Sequence, residues 1–240
     1  MAQSFFIWNG RDCRTMGVTL RGPVAIVRPE ERVTHVEIPG KSGDTTQTEG
    51  ENVYNSYIQT ASISVRGGMW VREVYKWLRG AGEVTFSGEP ERKQKARIIG
   101  AITLNRVSRN MDRWAGEVQF YCQPLKEKLR DAAVTVITSG STVTNGGDVE
   151  ARPRITVNAG AAGQDILITI GGKTIEVDMT GMADTGCVID TDAMVVTNYS
   201  GTADLTNICS GDFPTLAPGA NTVTFTNASS LDIERRERYL

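Results

Sequence analysis

The chain has 240 residues, a net charge of −2 and four cysteines, a size that allows one large β domain or two of ordinary size. Cys13, Cys122, Cys187 and Cys209 lie far apart and form no C-x-x-C pair, which argues against a zinc site or a disulfide framework and predicts free, mostly buried thiols. Charge is uneven along the chain, +6 up to Arg130 and −8 from Asp131 onward, as expected of a basic module followed by an acidic one.

Met1 to Trp8 has no basic region, and its apolar run is too short for a signal peptide or a membrane span, which predicts a soluble protein made in the cytosol. Ser4 to Trp8 reads as a short strand ended by Asn9-Gly10, and Val24 to Val27 as a second, closed by Pro29. Val33 to Ile38 alternates as a strand that Pro39-Gly40 stops. From Gly40 to Asn52 no apolar residue holds the chain to a core, and the stretch reads as an exposed polar loop or flexible arm. Lys41, Ser42, Asp44, Thr45, Gln47, Glu49, Glu51, Asn52 and Tyr54 are its candidate contact residues.

Tyr57 to Arg66 resumes as a strand. Trp70, Val71, Val74, Trp77 and Leu78 then recur with the helical period and predict one short helix over Met69 to Arg79, bounded by Gly67-Gly68 and Gly80-Ala-Gly82. Val84 to Phe86, Ala96 to Leu104 and Glu117 to Cys122 supply three more strands, the last ended by Pro124, and Leu125 to Ala133 reads as a polar linker. Beyond it, short Thr, Val and Ile runs separated by Gly, Asn and Asp have the texture of an antiparallel β-sandwich. Its expected strands are Val134 to Thr138, Arg154 to Val157, Ile166 to Ile170, Lys173 to Val177, Val188 to Thr191 and Asn221 to Phe225. Gly171-Gly172 is a two-residue hairpin signal, and Phe213 and Leu216 anchor a corner before the last sandwich strand. Leu231 to Leu240 reads as a further strand with a charged end. The expected division is 1–124, a β domain with one helix; 125–133, a linker; 134–228, a β-sandwich; and 229–240, a C-terminal strand able to return to the first domain.

Chemistry is sparse. His35 is the only histidine, and it sits in an alternating strand with no serine elbow beside it, where a structural role is expected. Gly40-Lys41-Ser42 has neither the preceding glycine nor the following helix of a phosphate-binding loop. Asp184, Asp190, Asp192, Asp204 and Asp212 read as solvated loop acids. No catalytic, cofactor or metal residues are expected, and the chain reads as a non-enzyme.

The order of these features resembles the siphophage distal tail proteins. In the first half the resemblance rests on Asn9-Gly10 after an aromatic strand, Ile38-Pro39-Gly40 before a Gly-Asp loop, Trp77-Leu78-Arg79-Gly80, Glu89-Pro90, and Phe120-Tyr-Cys-Gln-Pro124. In the second half it rests on Asn145-Gly146 to Glu150-Ala151-Arg-Pro153, Ile189-Asp190, and Gly211-Asp-Phe-Pro-Thr-Leu-Ala-Pro-Gly219-Ala-Asn221. It implies a mainly β virion protein with a sandwich-like N-terminal ring domain and a galectin-like C-terminal sandwich. It further implies a hexameric ring at the distal end of the tail, assembled in the host cytoplasm. The implied partners are the chain itself, the tail tube protein, the tape-measure protein and a tail-tip or fibre protein, with DNA passing through the channel without specific binding and no membrane. The alternative is a carbohydrate- or host-surface-binding module. All four Trp precede Asp131, and the second half has no His, so it departs from the galectin sugar site.

Overall fold

A computed structural model describes residues 4–50, 52–108, 111–161, 163–181 and 186–240. The chain divides into two compact units, 1–129 with Leu240, and 130–239.

In the first unit, β1 (Phe6–Trp8), β2 (Arg11–Asp12) and β3 (Val18–Leu20) precede a β4–β5 hairpin (Val33–Glu37 and Asp44–Thr48), β6 (Tyr57–Arg66) and α1 (Gly68–Trp77). They are followed by β7 (Ala81–Phe86), β8 (Arg92–Ile99), β9 (Leu104–Ser108) and β10 (Met111–Lys128). The main sheet runs β2-β1-β7-β8-β10-β6-β3, every pair antiparallel, with β9 also on β10. Alternation places Val118, Phe120 and Cys122 of β10 inward with Phe6, Trp8, Ile63 and Val65. Phe120 meets Phe6, Trp8 and Phe86 at centroid distances of 5.4, 5.7 and 5.5 Å, with the tilted and edge-on geometry aromatic rings prefer.

The predicted helix is present, and Val74 and Leu78 of its stripe are buried. Val71 and Trp77 are half-buried, and Trp70 stands 41% exposed at the margin. Asp112 of β10 accepts from the Gly68 amide at 2.9 Å and from the Trp114 indole at 3.1 Å, so the helix start is capped from the neighbouring strand.

Three expectations for this unit are corrected. Val24 to Val27 is not a strand: the chain from Pro23 to Glu30 joins no ladder, and only Val24 of the run is buried while Ile26 faces solvent. The edge strands there are β2 and β3. The strand through Cys122 does not stop at Pro124: a register shift between Cys122 and Lys126 absorbs the proline, and pairing with β8 resumes as far as Lys128, leaving Leu125 to Lys128 as strand. The single strand expected over Ala96 to Leu104 is two, β8 and β9, separated at Gly100 with φ +69°.

The second unit contains β11 (Val134–Val136), β12 (Ser141–Asn145), β13 (Arg154–Ala159), β14 (Ile166–Ile170), β15 (Lys173–Val177) and β16 (Gly186–Asp190). It continues with β17 (Val195–Asn198), β18 (Cys209–Gly211), β19 (Gly219–Thr226) and β20 (Ala228–Glu234). Two antiparallel sheets, β11-β20-β13-β16-β17 and β12-β19-β14-β15-β18, enclose one core. Ile155, Val157, Ile189, Leu231 and Ile233 come from the first sheet, and Ile166, Ile168, Ile170, Ile175 and Val223 from the second. This is the sandwich the sequence predicts. Gly171 and Gly172, at φ +61° and +78°, make the expected hairpin turn, and Leu216 is fully buried with Phe213 packed on the core. Ala228–Glu234 lies between β11 and β13, so this part of the C-terminal segment belongs to the sandwich.

The four thiols are free. Burial pushes Cys122 and Cys187 up to about 12 and Cys209 to about 11, which keeps them protonated and unreactive. Truncating the aromatic hub by Phe120→Ala removes contacts to three rings. It is expected to lower the stability of the first unit by about 3–5 kcal/mol, measured as the shift in its chemical-denaturation midpoint.

Candidate functional site

The β4–β5 hairpin is the least enclosed part of the first unit. Val33, Thr34, His35, Val36 and Glu37 stand opposite Thr48, Gln47, Thr46, Thr45 and Asp44 in order, and apart from the half-buried Val33 every residue is exposed. The stretch expected as a loop is therefore half turn and half strand. β-Branched Thr45, Thr46 and Thr48 suit a pleated ladder without needing a core, and the turn between the strands uses Gly40 and Gly43 at φ +83° and +81°. Backbone bonds fasten the base: the Arg32 amide donates to Val53 O at 2.9 Å and the Asn55 amide to Glu30 O at 2.8 Å.

Lys41, Ser42, Asp44, Thr45, Gln47, Glu49 and Asn52 all lie exposed on or beside this hairpin. Tyr54 differs from these: its backbone bridges Glu31 at the base, and the residue is only 8% exposed. Glu51 lies outside the described residues, as does Asp184. His35 is exposed, with its Nδ1 2.8 Å from the Asp44 carboxylate.

The second unit concentrates its polar interactions on its last residues. Arg236 forms a bidentate pair with Asp190, at 2.8 and 2.9 Å, while Arg238 reaches Asp192 at 2.6 Å. Arg235 reaches Asp131 at 3.0 Å, and Asp131 also accepts from the Arg236 amide at 2.7 Å. Glu237 is buried. It accepts from the Gly146 amide at 3.0 Å and the Tyr239 hydroxyl at 2.6 Å, and pairs with Arg235 at 3.1 Å. A Cβ on Gly147 would lie 2.5 Å from Arg238 O, so only glycine admits the tail there. Asn145 completes the cluster: its amide nitrogen donates to Val149 O and Leu216 O, and its oxygen accepts from the Gly147 amide. In the sequence, residues 234–238 read only as a charged end, Glu-Arg-Arg-Glu-Arg, whose signal is three cations and two anions in one short stretch.

Of the loop acids, Asp190 and Asp192 are thus held by arginines, and Asp204 accepts from the Thr206 amide at 2.9 Å. Among the described residues no three His, Cys, Asp or Glu side chains cluster as a metal site, and no helix is long and apolar enough to cross a membrane.

Residues 146–239, most of the second unit, match the family model of the siphovirus-type tail component, C-terminal domain. The similarity to siphovirus-type tail components found in this way lies within the second unit. Over the whole chain the fold is similar to that of Dit (gp 19.1) of phage SPP1, described as a paradigm of the hub adsorption apparatus in phages infecting Gram-positive bacteria. That likeness has 19% identity and a TM-score of 0.80, with both chains covered in full. Chains of the phage P2 baseplate in its activated conformation are more distant. The form with Ca has a TM-score of 0.58 at 9% identity over the full length of both chains, and the form with Sr 0.53 at 8% over 96% of each. No curated protein sequence matches the chain. The resemblance to distal tail proteins drawn from the residues is borne out by the family match and by the fold.

The Arg236 guanidinium beside Asp190, with the Ala193 and Asp192 amides, holds that carboxyl below its ordinary value. A depressed folded-state value contributes stability above the unfolded value, near 3.9, and loses it as the pH falls through the folded value. The second unit is therefore expected to weaken in acid below about pH 4. Asp190→Asn should remove about 1–2 kcal/mol at neutral pH, the low end for charged hydrogen bonds because both groups are partly exposed, and should flatten that acid limb. Urea titrations at pH 7 and pH 3 read both effects.

Proposed function

We propose that the chain is a structural virion protein at the distal end of a siphophage tail, a hub that joins the tail tube to the tail-tip or fibre protein. In this reading six copies form a ring, the first units line a channel through which DNA passes without specific binding, and the second units face outward as galectin-like modules. The tape-measure protein and the tail tube meet the ring on one face, and assembly takes place in the host cytoplasm. Full-length similarity to the Dit hub protein of phage SPP1 carries the proposal. The hairpin is a second support. An isolated two-stranded ribbon that packs on no core, with Val36 and Ile38 exposed, is marginal in water, so a solvated arm of this kind gains most of its order by lying on another molecule.

The test is the mass of the purified protein by light scattering at low and moderate salt, with negative-stain images of the same sample. Rings of about six subunits are expected, the closed cyclic symmetry that head-to-tail contacts produce. Replacing residues 37–44 by Asn-Gly keeps Val36 opposite Thr45 and closes a short turn. This variant should lose most of the ring while its melting temperature stays within about 2 °C of the parent's, since no buried side chain is removed. A protein that remains monomeric at every concentration and binds glycans would overturn the hub reading in favour of a host-surface module.

A further inference from the structure

We infer that the arm of one copy seats its acidic end on an arginine pair of a second copy, the pair formed by Arg66 and Arg113. The inference rests on the ring reading and names the surface that would receive the arm. Arg66, the last residue of β6, stands directly opposite Arg113 of β10. Directly opposed residues of an antiparallel pair share a face, and like charges there repel. Neither arginine has an ion pair or side-chain hydrogen bond to a described residue. Arg66, Asp112 and Arg113 line an open cleft with Met111, which is 61% exposed. The Asp112 carboxylate accepts from the Gly68 amide and the Trp114 indole, so two cations face one anion there. Two cations against one anion beside the exposed Met111 leave a surplus of positive charge that suits a partner bringing carboxylates with an apolar neighbour.

The arm carries that chemistry. Glu37 and Asp44 are directly opposite one another, an equally unfavourable pair of anions. Asp44 lies 2.8 Å from the Nδ1 of the exposed His35, Glu37 forms no ion pair with a described residue, and Lys41 is the one cation among the residues that line the cleft with them. Ile38, exposed, lines the same open cleft at the end of the arm. Within one chain the acidic pair and the arginine pair do not meet. Each repulsion costs little alone, and bringing the two pairs together relieves both with bidentate carboxylate–guanidinium bonds. The two surfaces are different, so the contact is head-to-tail, and repetition of a head-to-tail contact generates a ring whenever its rotation closes.

Charge reversal tests the match. The arm variant Glu37→Lys/Asp44→Lys and the cleft variant Arg66→Glu/Arg113→Glu should each raise the concentration at half-assembly by about tenfold or more, because each sets like charges face to face. The four-fold variant, which reverses both sides, should return to within about threefold of the parent. An Arg66→Gln/Arg113→Gln variant, which lacks the new repulsion, should assemble between the parent and the cleft variant. Thermal melts of all four verify folding. Parent rings with reversed variants that assemble as well as the parent would overturn this contact and leave the ring reading standing. So would a folded four-fold variant no better than the two-fold ones. A parent that never forms rings would overturn the ring reading and this contact with it.

Discussion

The ladder between β10 and β6 is the constraint on which the first unit depends. It runs without a break from Arg113 opposite Arg66 to Cys122 opposite Tyr57, and the side-chain period of two gives it only one acceptable register. A slip by one residue would turn Val118, Phe120 and Cys122 outward and bring Gln119 and Tyr121 into the core. The same strand carries Asp112, which caps α1, and, beyond the irregularity at Pro124, Lys126, whose buried ammonium pairs with Glu89 at 2.7 Å. One strand thus positions the helix, the aromatic hub and the arginine pair together.

Where a segment's own pattern matched its burial, it could be read directly. Tyr57–Arg66, Ile166–Ile170 and Lys173–Val177 have the predicted bounds because each alternates cleanly and ends at glycine or a charged residue. The helix was legible from its period, although Trp70 fits the stripe and still faces partly outward, since periodicity gives a direction and not the width of what covers it. Segments stabilised by distant partners were not legible. β12, β17 and β18 are short and polar, and what makes them strands is the neighbour each pairs with. The continuation of β10 through Pro124 fails for the same reason, because a local rule that proline ends a strand does not see β8 resuming the ladder.

The candidate site divides in the same way. Exposure of the arm follows from the lack of apolar residues between Gly40 and Asn52. Its second strand does not, because a Thr-rich run with both faces in water has no alternation to detect. Tyr54 is less legible, since an aromatic next to a polar stretch reads equally well as a contact or as an anchor, and its burial is not written in the local pattern. In the second unit, the residues that carried the family resemblance prove to have a common physical cause. Asn145, Gly146 and Asp190 are far apart in sequence, and all three engage the last turn of chain or the corner beside it. Motifs that looked like separate turns receive one buried carboxylate, Glu237, and one arginine, Arg236, and brace the corner at Leu216.

The two halves of the molecule use charge in opposite ways. In the second unit nearly every tail charge is satisfied internally, and Glu237 is enclosed by three donors, so charge there specifies where the chain ends its path. In the first unit the paired arginines of β6 and β10 and the paired acids of the arm face their own kind in solvent, each pair with a single opposite charge in its cleft, Asp112 and Lys41. A fold selected for stability alone gains nothing from either arrangement, since replacing one member of each pair would remove the repulsion without disturbing the core. Such local conflict with the rules of sheet pairing is expected where a surface serves something outside the chain. Both conflicts sit on exposed β-structure of the same unit, and each is the electrostatic complement of the other. A contact that relieves them joins two different surfaces, so a closed ring satisfies every copy and any open chain leaves one arm and one arginine pair unsatisfied.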